Sequence, residues 1–437
     1  MQLNVKYINH LLRIILIFLF LILAFVRSFM GIYVFNLRLG EILVGFSLIL
    51  TFLILFLLLS KNNVFYEIDK KIKFVYFLIV VSFFVVAFLS NSDLSRTYTY
   101  KASSYIWTMS FFFVGYYFYN YENGQTEKIL IWLLNPTLYM AYVFQVFNIP
   151  DFVVNFFLSI SDKFEPHKGS DLTILFVITF LLNDKYFRKS KFYVEYYILF
   201  FSLYAPFLYF KSRASFIAIL LFVLMQFINS RNYYFRDILL VRIFFVFAIS
   251  SILFLQSAFW VQQSGIITVY EARENVVTLV EYRTQTYVDN IDEGFFWISD
   301  GRLRTEDGNL GWRLDIWQDI IFDLKETSKI FFGYGYNGII PVMEWENGYR
   351  LGLDGLNENV HNNWFNILAR GGIFQLSLFV SLLFYIVTNY FKSSLNYNIL
   401  IFIIPLLLVS FFDSSMENAH FPILYYFFLG RELKSNI

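Results

Sequence analysis

The sequence has no cysteine and few charged residues. Across 437 residues, the lack of cysteine excludes disulfides, thiolate metal sites and a cysteine nucleophile. Only 15% of the residues are Asp, Glu, Lys or Arg, and histidine occurs four times. The net charge of +1, with no basic stripe interleaved with aromatic residues, gives no basis for binding nucleic acid. Any polar chemistry therefore rests on a small number of side chains.

Apolar residues make up most of the sequence. Their share is 58%, which would leave a soluble domain covered with apolar surface. A helix needs roughly 20 mostly apolar residues to cross a membrane, and such stretches recur along the chain. We therefore predict an all-α polytopic membrane protein with about twelve transmembrane helices. The predicted spans are 11–30, 40–59, 72–90, 104–121, 129–148, 172–183, 193–210, 214–229, 238–256, 364–388, 398–412 and 421–430.

The distribution of Lys and Arg between these spans predicts their orientation. With a cytoplasmic amino terminus, 17 of the 34 basic residues lie on the cytoplasmic side and 8 lie in short loops on the other side. Of the remaining 9, 8 lie in one long loop and Arg370 lies in the predicted span that follows it. Long loops cross a membrane largely regardless of their charge. The pattern predicts cytoplasmic termini and an external long loop.

The long loop is a polar stretch that interrupts the apolar pattern. It divides the chain into helices 1–9 over residues 1–256, the external loop over 257–363 and helices 10–12 over 364–437. Residues 270–310 have the composition of an irregular surface segment. Further on, the pattern predicts an amphipathic helix that begins near Asn309 and ends near Thr327. Its apolar positions are Leu310, Leu314, Trp317, Ile320, Ile321 and Leu324.

Three glycines follow this helix in the segment from Phe332 to Gly338. Their spacing formally matches a dinucleotide-binding fingerprint, but that motif needs a strand before it and a helix after it. Here a helix precedes the glycines and Ile-Ile-Pro follows them. We therefore expect them to allow a tight turn or a close approach of the backbone.

Four motifs in order resemble the O-antigen ligase and O-antigen polymerase superfamily. They cover roughly residues 200–430, in a chain with a long loop between its ninth and tenth predicted helices. The motifs are Ser212-Arg213-Ala214, Gly311-Trp312-Arg313, Gly333-Tyr334-Gly335 and His361-Asn362-Asn363-Trp364 running into Ala369-Arg370-Gly371-Gly372.

This resemblance implies a GT-C-like membrane glycosyltransferase of the bacterial inner membrane, with its active site on the periplasmic face. Such an enzyme takes a glycan from undecaprenyl diphosphate and passes it to a sugar hydroxyl, with inversion and without a metal or other cofactor. The acceptor is lipid A-core for a ligase and a second lipid-linked glycan for a polymerase. The His-Asn-Asn and Gly-Gly context slightly favours the ligase. No Asp-x-Asp motif for a metal occurs in the sequence.

Site residues follow from the same comparison and from the chemistry. Guanidinium groups bind phosphate oxygens in a bidentate manner, so Arg213 and Arg313 are predicted to hold the departing diphosphate. An alcohol acceptor needs a base, and His361 matches the family's essential histidine. The predicted substrate-binding residues are Asn362, Asn363, Arg96, Lys101, Asp413 and Glu417.

Several alternatives stay open on the sequence alone. Arg213 has a simpler role as an anchor at a helix end, and Arg313 as part of a solvated helix face. His361, His420, Asp413 and Glu417 could in principle gather on the outer face as a zinc site, although metal use is not expected. A polysaccharide flippase or other transporter is the alternative from another class, but it calls for polar residues or broken helices near mid-membrane.

Overall fold

A computed structural model describes most of the chain. The described residues are 15, 19, 21, 23, 27–60, 65–119, 124–147, 149–160, 168–187, 192–229, 240–263, 295–345, 350–351, 357–394 and 397–435. Most of the first predicted span, 11–30, and most of the predicted irregular segment, 270–310, lie outside them.

Helices dominate the described residues. In chain order they are α1 Arg27–Met30, α2 Leu39–Leu59, α3 Lys70–Leu89, α4 Thr97–Ala102, α5 Ser104–Trp107, α6 Ser110–Tyr119, α7 Gly124–Phe147, α8 Asp151–Ile160, α9 Gly169–Phe187, α10 Tyr193–Lys211, α11 Arg213–Asn229, α12 Leu240–Gln263, α13 Gly308–Glu326, α14 Asn363–Ser393, α15 Asn398–Phe412 and α16 His420–Lys434. Two antiparallel strand pairs accompany them, β1 Tyr33–Val34 with β2 Leu37–Arg38 and β3 Phe296–Ser299 with β4 Arg302–Thr305.

Among the described residues, five helices are long and apolar enough to cross a membrane, in agreement with the predicted class of helical membrane protein. They are α2, α3, α7 from Glu127, α12 from Phe244 to Val261, and α14. The total of about twelve spans stays a prediction. Helix α12 continues to Gln263, beyond the predicted boundary at 256, and α8 was not predicted.

The predicted continuous span over 104–121 is instead divided into α5 and α6, with α4 immediately before them. Hydroxyl side chains at both interruptions bond to backbone carbonyls of the preceding turn, a contact that bends helices. Ser103 Oγ donates to the Thr99 carbonyl at 2.7 Å, and Thr108 Oγ1 donates to the Ser104 carbonyl at 3.0 Å. The resulting irregular segment carries Lys101 to the edge of the bundle.

Helix α14 is broken at Gly372, where φ is 67° and ψ is −172°. The Gly-rich segment after α13 replaces the hydrogen bonds that the break removes. Tyr334 N and Gly335 N donate to the carbonyls of Ala369 and Arg370 at 2.7 and 3.0 Å. In return, Ile373 N and Phe374 N donate to the carbonyls of Ile330 and Phe331 at 2.9 and 3.1 Å. We call this exchange between 330–335 and 369–374 the backbone clasp.

The glycines of the clasp are required by contact and by conformation. A Cβ on Gly372 would lie 2.1 Å from the Phe331 carbonyl oxygen, and one on Gly333 would lie 2.5 Å from the Ala369 carbonyl oxygen. Both residues also have positive φ, which L side chains rarely adopt. The expectation of close backbone approach is therefore confirmed for Gly333, whereas a Cβ on Gly338 would meet nothing within 4 Å.

The loop segment before α14 has its own small core and an ion-pair network. Where an irregular segment was predicted, strands β3 and β4 form a hairpin around Asp300-Gly301, and both turn residues have positive φ. Helix α13 begins at Gly308, earlier than predicted, because the Asp307 side chain accepts a hydrogen bond from Leu310 N. Asp319 on α13 binds Arg302 at 2.6 Å and the almost fully buried Arg350 at 2.7 Å.

Helix α16 lies inside the bundle and crosses α6 at two glycines. A Cβ on Gly115 would lie 1.9 Å from the Phe427 carbonyl oxygen, and one on Gly430 would lie 1.9 Å from the Phe112 carbonyl oxygen. Small residues at such crossings let helix backbones approach closely. The neighbouring turn Ser415–Glu417, which precedes α16, is thereby fixed against the site described below.

Replacing Gly430 with Ala is expected to lower the melting temperature measured in detergent, because the new methyl group has to displace helix backbone. Overpacking of this kind typically costs about 1–3 kcal/mol. Gly45→Ala is the matched control, since a Cβ there meets nothing within 4 Å and Ala favours a helix. Equal melting temperatures for Gly430→Ala and the wild type would show that the two helices do not cross at this point.

Candidate active site

His361 lies immediately before α14 in a left-handed backbone conformation, with φ of 53°. Its Nε2 lies 2.9 Å from Asn357 Oδ1. The orientation of the Asn357 amide is fixed because its Nδ2 donates to the Arg350 carbonyl at 3.1 Å. Since Oδ1 can only accept, Nε2 carries the proton in neutral His361 and Nδ1 keeps the lone pair. The geometry therefore assigns Nδ1 as the basic nitrogen.

Helix α13 approaches His361 through Trp312, whose ring meets the imidazole edge-on with a centroid distance of 5.2 Å. The next residue, Arg313, is half-buried, and its NH1 donates to the Phe412 carbonyl at 2.7 Å. Burial lowers the pKa of the Arg313 guanidinium, while the carboxylates of Asp413 and Asp307 act in the opposite direction. Arginine keeps its charge in proteins, so a cation is held beside the histidine.

Arg213 begins α11 and reaches toward α13. Its NH1 donates to Asp307 Oδ2 at 2.8 Å, and Asp307 also caps α13. The Arg213 side chain is 74% exposed, so a ligand has access to it. The three predicted catalytic residues Arg213, Arg313 and His361 are thus grouped: Asp307 binds Arg213 and its charge acts on Arg313, and Trp312, the residue before Arg313, packs against His361. We call this group the arginine cluster.

Asp413 extends the arginine cluster from the end of α15. Its Oδ2 accepts a hydrogen bond from Ser170 Oγ at 2.5 Å, and its Oδ1 lies 3.5 Å from Lys168 Nζ. Asp413 and Asp307 thus flank Arg313 with negative charge. Lys168, Ser170 and Asp307 were not among the predicted site residues.

Lys101 belongs to a second polar group on the other side of the chain segment that holds His361. Its Nζ lies 3.1 Å from Glu358 Oε2, and Arg370 lies close by with its NH2 3.4 Å from the Tyr98 hydroxyl. These residues line a cavity of about 40 Å³, which we call the polar cavity. Its other lining side chains include Asn366 and Glu417. Lys101 and Glu417, two of the predicted substrate-binding residues, therefore lie at the same cavity.

Glu417 is a partly buried residue at the wall of the polar cavity, and its carboxyl oxygen Oε1 is buried. Burial raises its pKa to about 8, the nearby Asp413 and Glu358 carboxylates act in the same direction, and the Arg370 and Lys101 cations oppose the rise. Its Oε1 has no hydrogen-bond partner among the described residues. Near neutral pH this side chain is therefore largely a neutral acid that adds no negative charge to the cavity.

The remaining predicted residues have different surroundings. Asn362 is buried and caps α14, since its Oδ1 accepts from Trp364 N at 2.9 Å. Asn363 is also buried, and its Oδ1 has no partner within the described part of the chain. Arg96 pairs with Asp93 at 3.1 Å on the surface and does not line the polar cavity. Substrate binding by these three residues stays a prediction.

Beyond the arginine cluster, the sequence reasoning also missed Asn357 and Arg370. Asn357, which orients His361, lies in a loop, and loop asparagine carries no signal of such a role. Arg370 is 5% exposed, and its guanidinium bonds to the Gly335 and Gly338 carbonyls. A signal for Arg370 was available, because a charge next to Gly-Gly inside an apolar span is costly unless it has partners.

The alternative zinc site would require His361, His420, Asp413 and Glu417 to converge. His420 Nε2 instead lies 2.7 Å from Asp171 Oδ1, in a buried pair. Across the part of the chain that the structure describes, no group of three or more metal-ligating side chains comes together.

Asn357→Leu is expected to reduce the rate of the transfer reaction implied by the resemblance by about tenfold or more, with little change in the donor KM. The physical reason is that imidazole orientation depends on the acceptor at Nε2. Asn229→Leu removes an asparagine at the far end of α11 and serves as the control. An unchanged kcat in Asn357→Leu would show that this asparagine does not orient the base.

The raised pKa of Glu417 predicts a pH-dependent stability. A carboxyl that keeps its proton in the folded state up to about pH 8 contributes stability that is full below its ordinary pKa of 4.5 and is lost as the pH rises through about 8. The melting temperature of Glu417→Gln should therefore rise relative to that of the wild type between about pH 5 and 8, and the difference should then stay constant. Glu326→Gln, at an exposed helix end, is the control. Parallel curves of melting temperature against pH for Glu417→Gln and the wild type would show that Glu417 is an ionised carboxylate in the folded protein.

A comparison with known protein families matches one segment of the chain. Residues 197–380 match the family model described as O-antigen ligase. The matched segment contains Arg213, Arg313 and His361, whereas Arg96, Lys101, Asp413 and Glu417 lie outside it. No match was found among curated proteins. The resemblance to the O-antigen ligase superfamily is thus confirmed for the segment that carries the arginine cluster.

Proposed function

We propose that this membrane protein, with its segment of the O-antigen ligase family, transfers a glycan from undecaprenyl diphosphate to a sugar hydroxyl in surface-polysaccharide assembly. The observation that carries the proposal is the grouping of three side chains: Arg213 binds Asp307, the charge of Asp307 acts on Arg313, and Trp312, the residue before Arg313, packs against His361. The group combines two cations, which suit a diphosphate, with one base, which suits an alcohol.

The chemistry divides between these residues. Nδ1 of His361 accepts the proton of the acceptor hydroxyl as its oxygen attacks the anomeric carbon. The bond from that carbon to the phosphate oxygen breaks, and the departing lipid diphosphate carries the electron pair to the guanidinium groups of Arg213 and Arg313. Attack from the face opposite the leaving group inverts the anomeric centre. Because guanidinium groups neutralise the developing charge, the proposal needs no metal ion or other cofactor.

The proposed setting is the bacterial inner membrane, with the site on the periplasmic face and both termini in the cytoplasm. Ligase and polymerase share the reaction above and differ in the acceptor. The name of the family model favours lipid A-core, whereas a polymerase needs room for a second lipid-linked glycan. A transporter would move the lipid-linked glycan without breaking its phosphate bond.

Transfer by purified protein tests the proposal, with undecaprenyl-diphosphate glycan as donor and either lipid A-core or no further acceptor in the reaction. We expect product from the wild type and at least a tenfold loss in His361→Ala and in Arg313→Lys, because a lysine lacks the bidentate fork. Arg304→Lys, in the hairpin beside α13, is the control for a folded loop. Full activity of Arg313→Lys would remove Arg313 from the site, and no transfer by folded wild type onto any acceptor would favour the transporter.

A further inference from the structure

One lysine outside the set of predicted site residues, Lys168, lies at the border of the arginine cluster. It comes immediately before α9, which begins at Gly169. A Cβ on Gly169 would lie 2.6 Å from Ser215 Oγ and 2.7 Å from Ser212 Cβ, so the starts of α9 and α11 are in contact. Arg213 stands between those two serines in the sequence. The close packing at Gly169 therefore places Lys168 and Arg213 at the starts of two touching helices.

Lys168 and Arg313 share a carboxylate neighbour. Lys168 Nζ lies 3.5 Å from Asp413 Oδ1. Asp413 also acts electrostatically on Arg313, whose NH1 donates at 2.7 Å to the carbonyl of the residue before Asp413. A second carboxylate, Asp307, acts on Arg313 as well and binds Arg213 at 2.8 Å. Three cations are therefore grouped with two carboxylates.

The net charge of these five side chains depends on Lys168. Arg213 and Arg313 carry two positive charges, and the carboxylates of Asp307 and Asp413 balance them. Without the lysine the group would carry no net charge and would offer little attraction to an anion. With Lys168 the group carries three positive and two negative charges, so its net charge is +1. The lysine therefore supplies the excess positive charge that favours a diphosphate.

The contact with Asp413 leaves Lys168 able to bind a ligand. Asp413 has shorter hydrogen bonds from Ser170 Oγ at 2.5 Å and from Ser414 N at 2.8 Å, so it does not depend on the lysine as a donor. An ammonium group has three donors, and Asp413 is the only hydrogen-bond partner of Lys168 Nζ within the described part of the chain. The Lys168 side chain is 22% exposed. Donors of the ammonium group are therefore available to a ligand that reaches the arginine cluster.

We propose that Lys168 is a third cation of the donor site and binds the diphosphate oxygens together with Arg213 and Arg313. Asp413 holds the lysine in place before the donor arrives. This inference rests on the proposed function and adds a binding residue to it. A lysine suits this role because its ammonium is a point charge on a flexible stem, which can move from a carboxylate to a nearby phosphate oxygen. The contact strengthens as the glycan leaves, since the lipid diphosphate then gains negative charge.

Binding of undecaprenyl diphosphate to the protein in lipid nanodiscs, measured by native mass spectrometry, tests the inference without any transfer. We expect Lys168→Gln to weaken binding by about tenfold, because hydrogen bonds between charged groups are the strong ones. Lys168→Arg keeps the charge and should bind with an affinity close to that of the wild type. Lys325→Gln removes the same charge at the exposed end of α13 and is the matched control.

A double variant separates direct binding from a general effect of charge. Lys168→Gln combined with Asp413→Asn restores the net charge of +1, because one cation and one carboxylate are lost together. Direct binding by the lysine predicts that the double variant stays close to the weakened affinity of Lys168→Gln alone. Recovery of the wild-type affinity would overturn the inference, because Lys168 would then serve only to balance Asp413.

Two further results would also overturn the inference. Unchanged binding by Lys168→Gln would remove the lysine from the donor site. Equal loss of binding by Lys168→Gln and Lys168→Arg, together with lower melting temperatures of both, would make the lysine a structural residue. Failure of the proposed function looks different, because the wild type would then bind the lipid diphosphate with the expected dependence on Lys168 while no glycan moves.

Discussion

The backbone clasp is the constraint on which the site depends. A helix broken in an apolar span exposes two carbonyls and two N–H groups, and unsatisfied backbone groups in a membrane cost several kcal/mol each. Here the segment 330–335 supplies the four missing partners. The first part of α14, residues 363–371, is therefore held in a fixed direction, with His361 and Asn362 at its start and Arg370 near its end.

The backbone clasp also positions the arginine cluster and the residues of the polar cavity. The chain leaves α13, forms the clasp and returns to His361 at the start of α14, so Trp312 can pack against the imidazole. Arg370 turns back to the carbonyls of the Gly-rich segment and at the same time lines the polar cavity. Most charged side chains of the site have a counter-charge or a carbonyl partner, as the low dielectric of such a place demands.

The sequence predicted the class of fold and the arginine cluster because both have strong local signals. Long apolar runs identify helices, and the motifs around Arg213, Arg313 and His361 stand out against an apolar background. Breaks within helices were harder to predict, since Gly372 interrupts a run that reads as one continuous span. The pair Asp300-Gly301 is typical of a hairpin turn, but the prediction for this segment relied on composition and missed the hairpin. Asn357 is oriented by the Arg350 carbonyl, and the pKa of Glu417 is set by burial against elements distant in sequence, so only the folded chain reveals their properties.

The burial of α16 has a consequence for how the protein is made. Residues 420–433 are buried along the whole helix, among α6, α9 and α15, yet every other described helix leaves the ribosome before it. The earlier helices therefore enter the membrane around a space that stays open until α16 has been synthesised. Until α16 arrives, Asp171 lacks its histidine and Glu417 is not yet held against the polar cavity. Premature arrest of translation would thus leave a membrane-inserted bundle without an assembled site, a natural substrate for quality-control proteolysis.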